Sequence, residues 1–228
     1  MTWSHHSARD VQARLASALM PPSPPAELGD ITLLPHQRDA VSRIQTAIRL
    51  HHGALLADDV GLGKTYTALA VARAYAQVHV IAPAALQPMW RTAITHAQLP
   101  HIRLHSVHGF SRQHDVPIAA MADDAHPGLV REQAPQRTLV IIDEAHYLRT
   151  RRTARYTAVA RFVAGCDTLL LSATPLHNRA AELRNLLALF LGSRADLLSD
   201  TMLAQVVIRR SSTNTNAPAA TRPRVLPH

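Results

Sequence analysis

Apolar and polar positions along the chain form two alternating kinds of segment. Short apolar runs bounded by turn-forming residues occur at 53–58 (GALLAD), 78–83 (VHVIAP), 138–143 (TLVIID) and 168–173 (TLLLSA). Between them lie longer stretches with helical patterning, at 36–52, 64–77, 85–97, 152–164 and 178–191. A short run that is apolar on both faces fits a strand covered by two layers, and the longer stretches fit helices. A less apolar strand is expected at 102–108. The alternation predicts an α/β fold with a mainly parallel sheet flanked by helices on both faces.

Outside this core the pattern changes. Residues 7–20 read as a short amphipathic helix, with Ser7 as its N-cap, and 21–25 (PPSPP) as a stiff linker. Residues 115–137 show no clear periodicity. Residues 212–228 are rich in Ser, Thr, Asn, Ala and Pro and read as a disordered tail. The expected organisation is an N-terminal helix and linker over 1–30, one domain over 31–211, and the tail over 212–228.

Chemistry concentrates where apolar runs turn into helices. After the first run comes Asp58-Asp59-Val60-Gly61-Leu62-Gly63-Lys64-Thr65. This matches the phosphate-loop spacing G-x-x-x-x-G-K-[ST], with Asp58 at the first Gly. Gly61 and Gly63 allow the backbone to wrap closely around phosphates, and the helix N-terminus aims unpaired N–H groups at the anion. Lys64 supplies the point charge and Thr65 a hydroxyl for Mg²⁺. The strongest strand ends in Asp143-Glu144-Ala145-His146. Asp143 is the candidate metal carboxylate, and Glu144 the candidate that orients and deprotonates water. Ser172-Ala173-Thr174-Pro175 closes a further strand, and Ser172 and Thr174 could hydrogen-bond His146.

Composition sharpens this reading in two places. The formal net charge is +8, and of the 24 basic residues 23 are Arg and one is Lys. That balance favours a polyanionic partner, nucleic acid first. The single lysine is Lys64, where a slim ammonium serves better than a planar guanidinium. Cys166 is the only cysteine, which excludes an internal disulfide. No run reaches the roughly 18 apolar residues of a membrane span, and the first 20 residues lack a signal-peptide pattern. A cytoplasmic location without membrane contact is the expectation.

The order of these motifs resembles helicase superfamily two, and within it the Swi/Snf-type ATPases of bacterial type. Leu34-Pro35-His36-Gln37 resembles that family's adenine-reading motif, with Gln37 as reader. Asp58 to Thr65 resembles its phosphate loop, including Leu62. The motif from Val80 to Trp90, the DEAH site, the SATP motif with its following helix, and Ile208-Arg209-Arg210 also fall in place. The resemblance implies a RecA-like lobe that binds ATP and Mg²⁺. It places His146, Ser172 and Thr174 in coupling, and the nucleic-acid contacts near Pro83, Ala84 and Trp90, and at Gly109 to Arg112. The family's usual track is double-stranded DNA. Such motors use a second lobe whose arginines stabilise the transferring phosphoryl group, worth about 10³ to 10⁵ in rate. No motif of that lobe follows Ser211. The expectation is therefore the ATP-binding lobe of a DNA-dependent translocase, with the second lobe on a separate chain or lost to truncation. The alternative is a remnant that binds nucleotide or DNA without turnover.

Overall fold

The computed structural model describes residues 24–107, 137–173 and 180–210. The predicted helix at 7–20, residues 109–112, Thr174 and the tail at 212–228 lie outside the described residues.

A two-stranded antiparallel hairpin, β1 (Glu27–Leu28) and β2 (Ile31–Thr32), opens the described chain. The helix α1 (Pro35–His51) leads into β3 (Gly53–Leu56), and α2 (Lys64–Ala72) follows the phosphate loop. Next come β4 (Gln77–Ala82), a 3-10 turn at Ala84–Leu86, α3 (Gln87–His96) and β5 (Ile102–Ser106). The second part comprises β6 (Thr138–Ile142), a 3-10 turn at Ala145–Leu148, α4 (Ala154–Val163) and β7 (Asp167–Leu171). The last part comprises α5 (Ala180–Leu191), α6 (Asp200–Val206) and β8 (Val207–Ile208).

Six strands form one sheet in the order β5-β4-β6-β7-β3-β8, and every neighbouring pair is parallel. The predicted parallel α/β architecture is therefore present. Side chains alternate between two cores, as the pleat requires. Ala54, Leu56, Val80, Leu139, Ile141 and Leu171 pack with α1, α2 and α3. Leu55, Ile81, Val140, Ile142 and Leu170 face the other way and pack with α4, α5 and α6. This double burial explains why the strands read as continuous apolar runs.

Helix ends follow local chemistry. Pro35 occupies the first turn of α1, where its missing N–H costs nothing. Gln37 Oε1 accepts the Leu34 N–H at 2.9 Å, the half of a capping box that a Gln supplies. Pro88 lies in the first turn of α3, which explains why it does not break that helix. Thr153 caps α4 by accepting the Tyr156 N–H at 3.2 Å.

The sequence pattern carries the helix at 64–77 too far. The α-helix ends at Ala72, and i→i+3 bonds from Ala74 to Val71 and from Tyr75 to Ala72 turn the chain. Tyr75 then donates its hydroxyl to Asp167 Oδ2 at 3.0 Å. That buried carboxylate also meets His52 and Arg137, at 3.3 and 3.4 Å. Among the described residues no helix is long and apolar enough to cross a membrane.

Candidate nucleotide and metal site

Because all six strands are parallel, β3, β4, β6 and β7 end at one edge of the sheet. Asp58, Pro83, Asp143 and Ser172 follow these ends and come together there. After β3 the chain crosses to β4, leaving the intervening places for β6 and β7. Ligands of open parallel sheets bind at such an edge.

The phosphate loop joins β3 to α2. Gly61 and Gly63 have φ of 88° and 76°, values an L side chain rarely adopts. A Cβ on Gly63 would stand 2.2 Å from Gln37 Nε2. Gln37 is buried and donates this amide to the Leu62 carbonyl at 3.3 Å. Gly63→Ala is expected to cost about 1–2 kcal/mol through the left-handed backbone alone and to push Gln37 away from the loop. Urea denaturation of the variant checks the first effect. Weakened binding of a fluorescent ATP analogue checks the second.

Lys64 Nζ donates to the carbonyls of Asp58 and Asp59, at 2.9 and 3.1 Å. The loop thus curls around the ammonium. Burial lowers the Lys64 pKa, while the carboxylates of Asp58, Glu144, Asp143 and Asp59 oppose that shift. Thr65, one residue into α2, also faces the cleft.

Asp58 supplies more than a carbonyl. Its side chain is fully buried and forms an ion pair with Arg210, whose side chain is 8% exposed. Oδ1 accepts the Arg210 backbone N–H at 2.9 Å, and Oδ2 accepts Nε–H at 3.0 Å together with Nη2. Arg210 Nη1 also donates to the His36 carbonyl. One guanidinium therefore ties the phosphate loop to the start of α1 and to the segment after β8. Burial and Arg210 together lower the His36 pKa. Neither the motif nor the spacing points to this pairing across 152 residues. The Asp standing at the loop's usual first Gly was the only available signal.

At the end of β6, Asp143 is 7% exposed. Its Oδ2 accepts the Trp90 indole N–H at 2.8 Å, and its Oδ1 accepts the Glu144 backbone N–H at 2.9 Å. Burial raises its pKa, and the two hydrogen bonds oppose that shift. Glu144 has φ 51°, and its Oε2 lies 3.0 Å from His146 Nδ1. Ser172 is buried past the end of β7, and its backbone N–H joins β3 at the Leu56 carbonyl, 3.1 Å away.

Of the segment expected near nucleic-acid phosphates, the Trp90 side chain points inward. It is fully buried, so it cannot itself meet nucleic-acid phosphates. Pro83 and Ala84, before α3, are at least partly exposed.

These groups border a cleft of about 520 Å³ lined by Gly61, Gly63, Lys64, Thr65, Asp143 and Glu144. The donor set fits a magnesium–nucleotide complex. It offers hard oxygens from two carboxylates and a hydroxyl, one amine, and a glycine-bent backbone at a helix start. The phosphate-loop strand β3 and the acidic strand β6 are separated by β7, in a sheet covered on both faces. This arrangement defines a RecA-like lobe of the phosphate-loop class.

Residues 36–200 match the SNF2-related domain. A Xenopus laevis protein, SWI/SNF-related matrix-associated actin-dependent regulator of chromatin subfamily A-like protein 1, is 35% identical over 159 residues. The match covers 66% of this chain and 16% of that protein. The uncharacterized ATP-dependent helicase YqhH of Bacillus subtilis is 32% identical over 174 residues, covering 72% of this chain and 30% of its own length. Among solved structures, the Sulfolobus solfataricus SWI2/SNF2 ATPase core in complex with dsDNA superposes with a TM-score of 0.62 at 18% identity. It covers 82% of this chain and 47% of that one. The chain belongs to the SNF2-related family, whose domain spans most of it. It spans less than a third of the length of these two relatives. Nucleotide and divalent-metal use is general to the family.

Proposed function

We propose that residues 31–211 bind ATP and Mg²⁺ as the first lobe of a DNA-dependent translocase. The observation that carries this reading is the convergence of Gly61, Gly63, Lys64 and Thr65 with Asp143 and Glu144 in one cleft. Lys64 exchanges its two loop carbonyls for phosphate oxygens. The N–H groups of Gly61, Leu62 and Gly63 cradle the anion. Gln37 reads adenine with the amide hydrogen and lone pair that Leu34 and Leu62 leave over. Asp58 shapes the loop from behind, through Arg210.

Thr65 and Asp143 would hold Mg²⁺, which when bound neutralises charge on the phosphate oxygens. Glu144 orients the attacking water and takes its proton. His146, already paired with Glu144, couples that carboxylate to Ser172 and Thr174. The second lobe, on another chain or another part of a longer protein, supplies the arginines of the transition state.

Double-stranded DNA is the polyanion this reading favours. The Sulfolobus structure was solved with dsDNA, and this chain, with 24 basic residues against 16 acidic ones, carries a net charge of +8. The test is Mg²⁺-dependent ATP hydrolysis by the full-length protein, with duplex DNA, duplex RNA or no nucleic acid. Stimulation by duplex DNA is expected. Duplex RNA stimulating as well as DNA would reject the DNA assignment, and no ATP binding with Mg²⁺ would sink the whole reading.

A further inference from the structure

Trp90 is a hydrogen-bonded neighbour of the carboxylate assigned to the metal. It is fully buried on α3, 53 residues before Asp143, and donates its indole N–H to Oδ2 of that residue at 2.8 Å. A buried indole needs a partner for its N–H. Many acceptors would serve, yet here the partner is the acidic side chain lining the cleft. The other oxygen, Oδ1, is held by the Glu144 N–H at 2.9 Å, and the Asp143 N–H is held by the Ile81 carbonyl at 2.8 Å. The carboxylate plane is thus set from both ends, by one side chain and one backbone group.

The element that carries Trp90 matters too. It lies on the first turn of α3, directly after the 3-10 turn at Ala84–Leu86. Neighbouring Met89 and Leu86 line the cleft. Ala84, at the start of that turn, is exposed, and the Trp90 side chain links α3 to the acidic strand end by a hydrogen bond.

We propose that Trp90 is a positioning residue for the metal site. Its indole N–H fixes the rotation of the Asp143 carboxylate and ties that rotation to the seat of α3. A shift of the exposed turn at Ala84–Leu86 therefore reaches the metal carboxylate through a single hydrogen bond. This rests on the reading of the cleft as a magnesium–nucleotide site. Loss of the N–H from a purely structural tryptophan would lower stability and leave metal affinity unchanged, which separates the two roles experimentally.

The decisive change removes the donor and keeps the ring. In a Trp3→Phe background, Trp90 is replaced by Phe and, separately, by benzothienylalanine, which has sulfur in place of N–H at nearly unchanged shape. Binding of a fluorescent ATP analogue to the full-length protein is titrated with Mn²⁺ or Mg²⁺, and again in EDTA. Groups that orient a metal ligand are typically worth 10- to 100-fold in metal affinity. A loss of about 10-fold or more in apparent metal affinity is expected in both variants, with metal-free nucleotide binding changed less than about 2-fold. The benzothienylalanine variant keeps the question open to test if the Phe variant folds poorly. Unchanged metal affinity in that variant, with wild-type metal dependence intact, overturns the inference. Absence of any metal-dependent nucleotide binding in the wild type overturns the site reading itself, and this inference with it.

Discussion

Arg210→Met is expected to destabilise the lobe by about 3–5 kcal/mol, because it strands a buried carboxylate. Asp58 is fully buried, and both of its oxygens are spent on Arg210. Methionine preserves much of the side-chain volume and none of the charge. The backbone N–H of residue 210 would still reach Oδ1, but Oδ2 would lose its donors, and the His36 carbonyl would lose one as well. For a lobe of this size the loss corresponds to a fall in melting temperature of roughly 6 to 20 °C. The double variant Asp58→Asn with Arg210→Met is expected to recover much of that stability. Neutralising both partners removes the unpaired charge, and apolar replacement of a buried pair is often close to neutral. Urea denaturation of the two variants beside the unsubstituted protein measures this. If the double variant is as unstable as Arg210→Met, Arg210 acts by packing and not by answering the charge of Asp58.

A second large effect separates two residues of the same cleft. Lys64→Ala is expected to weaken ATP binding by about 10- to 150-fold, the worth of a hydrogen bond to a charged group. The alanine leaves the loop carbonyls of Asp58 and Asp59 without their donor, so the loop relaxes as well. Glu144→Gln is expected to leave ATP binding nearly intact and to slow hydrolysis by about 10²- to 10⁴-fold, the usual contribution of a positioned base. Glutamine keeps the shape at the end of β6 and the backbone N–H that holds Asp143 Oδ1. Equilibrium binding and single-turnover hydrolysis, measured on the same full-length protein with duplex DNA, separate the two. Equal losses of binding in both variants would contradict the division of roles.

The legible features share a physical cause: each is written in consecutive residues. The glycines and the lysine of the phosphate loop act within eight residues. The acidic motif follows its strand directly, and the double-sided burial of β3, β6 and β7 shows as unbroken apolar runs. The missed features depend on residues far apart. Trp90 reads as a motif end, and only the packing of α3 turns its N–H toward Asp143. Arg210 reads as one of an arginine pair, and its partner lies 152 residues earlier. The hairpin strands β1 and β2 and the edge strand β8 are two residues each, too short to show a period. The early end of α2 is a tertiary effect, since Ala-rich sequence favours continuation while Tyr75 is drawn to Asp167.

The Asp58–Arg210 pair also bears on how the chain is made. Residues 53–65 leave the ribosome long before the arginine that completes their environment. At synthesis rates of about 5–20 residues per second, that delay is roughly 8 to 30 seconds. Strand β8 pairs with β3 just before Arg210, so the edge of the sheet and the counter-charge arrive together. Through that interval the Asp58 carboxylate, buried behind the phosphate loop in the finished lobe, lacks its guanidinium partner. Vectorial synthesis therefore completes the environment of the phosphate loop only after the six strands of this sheet have been laid down.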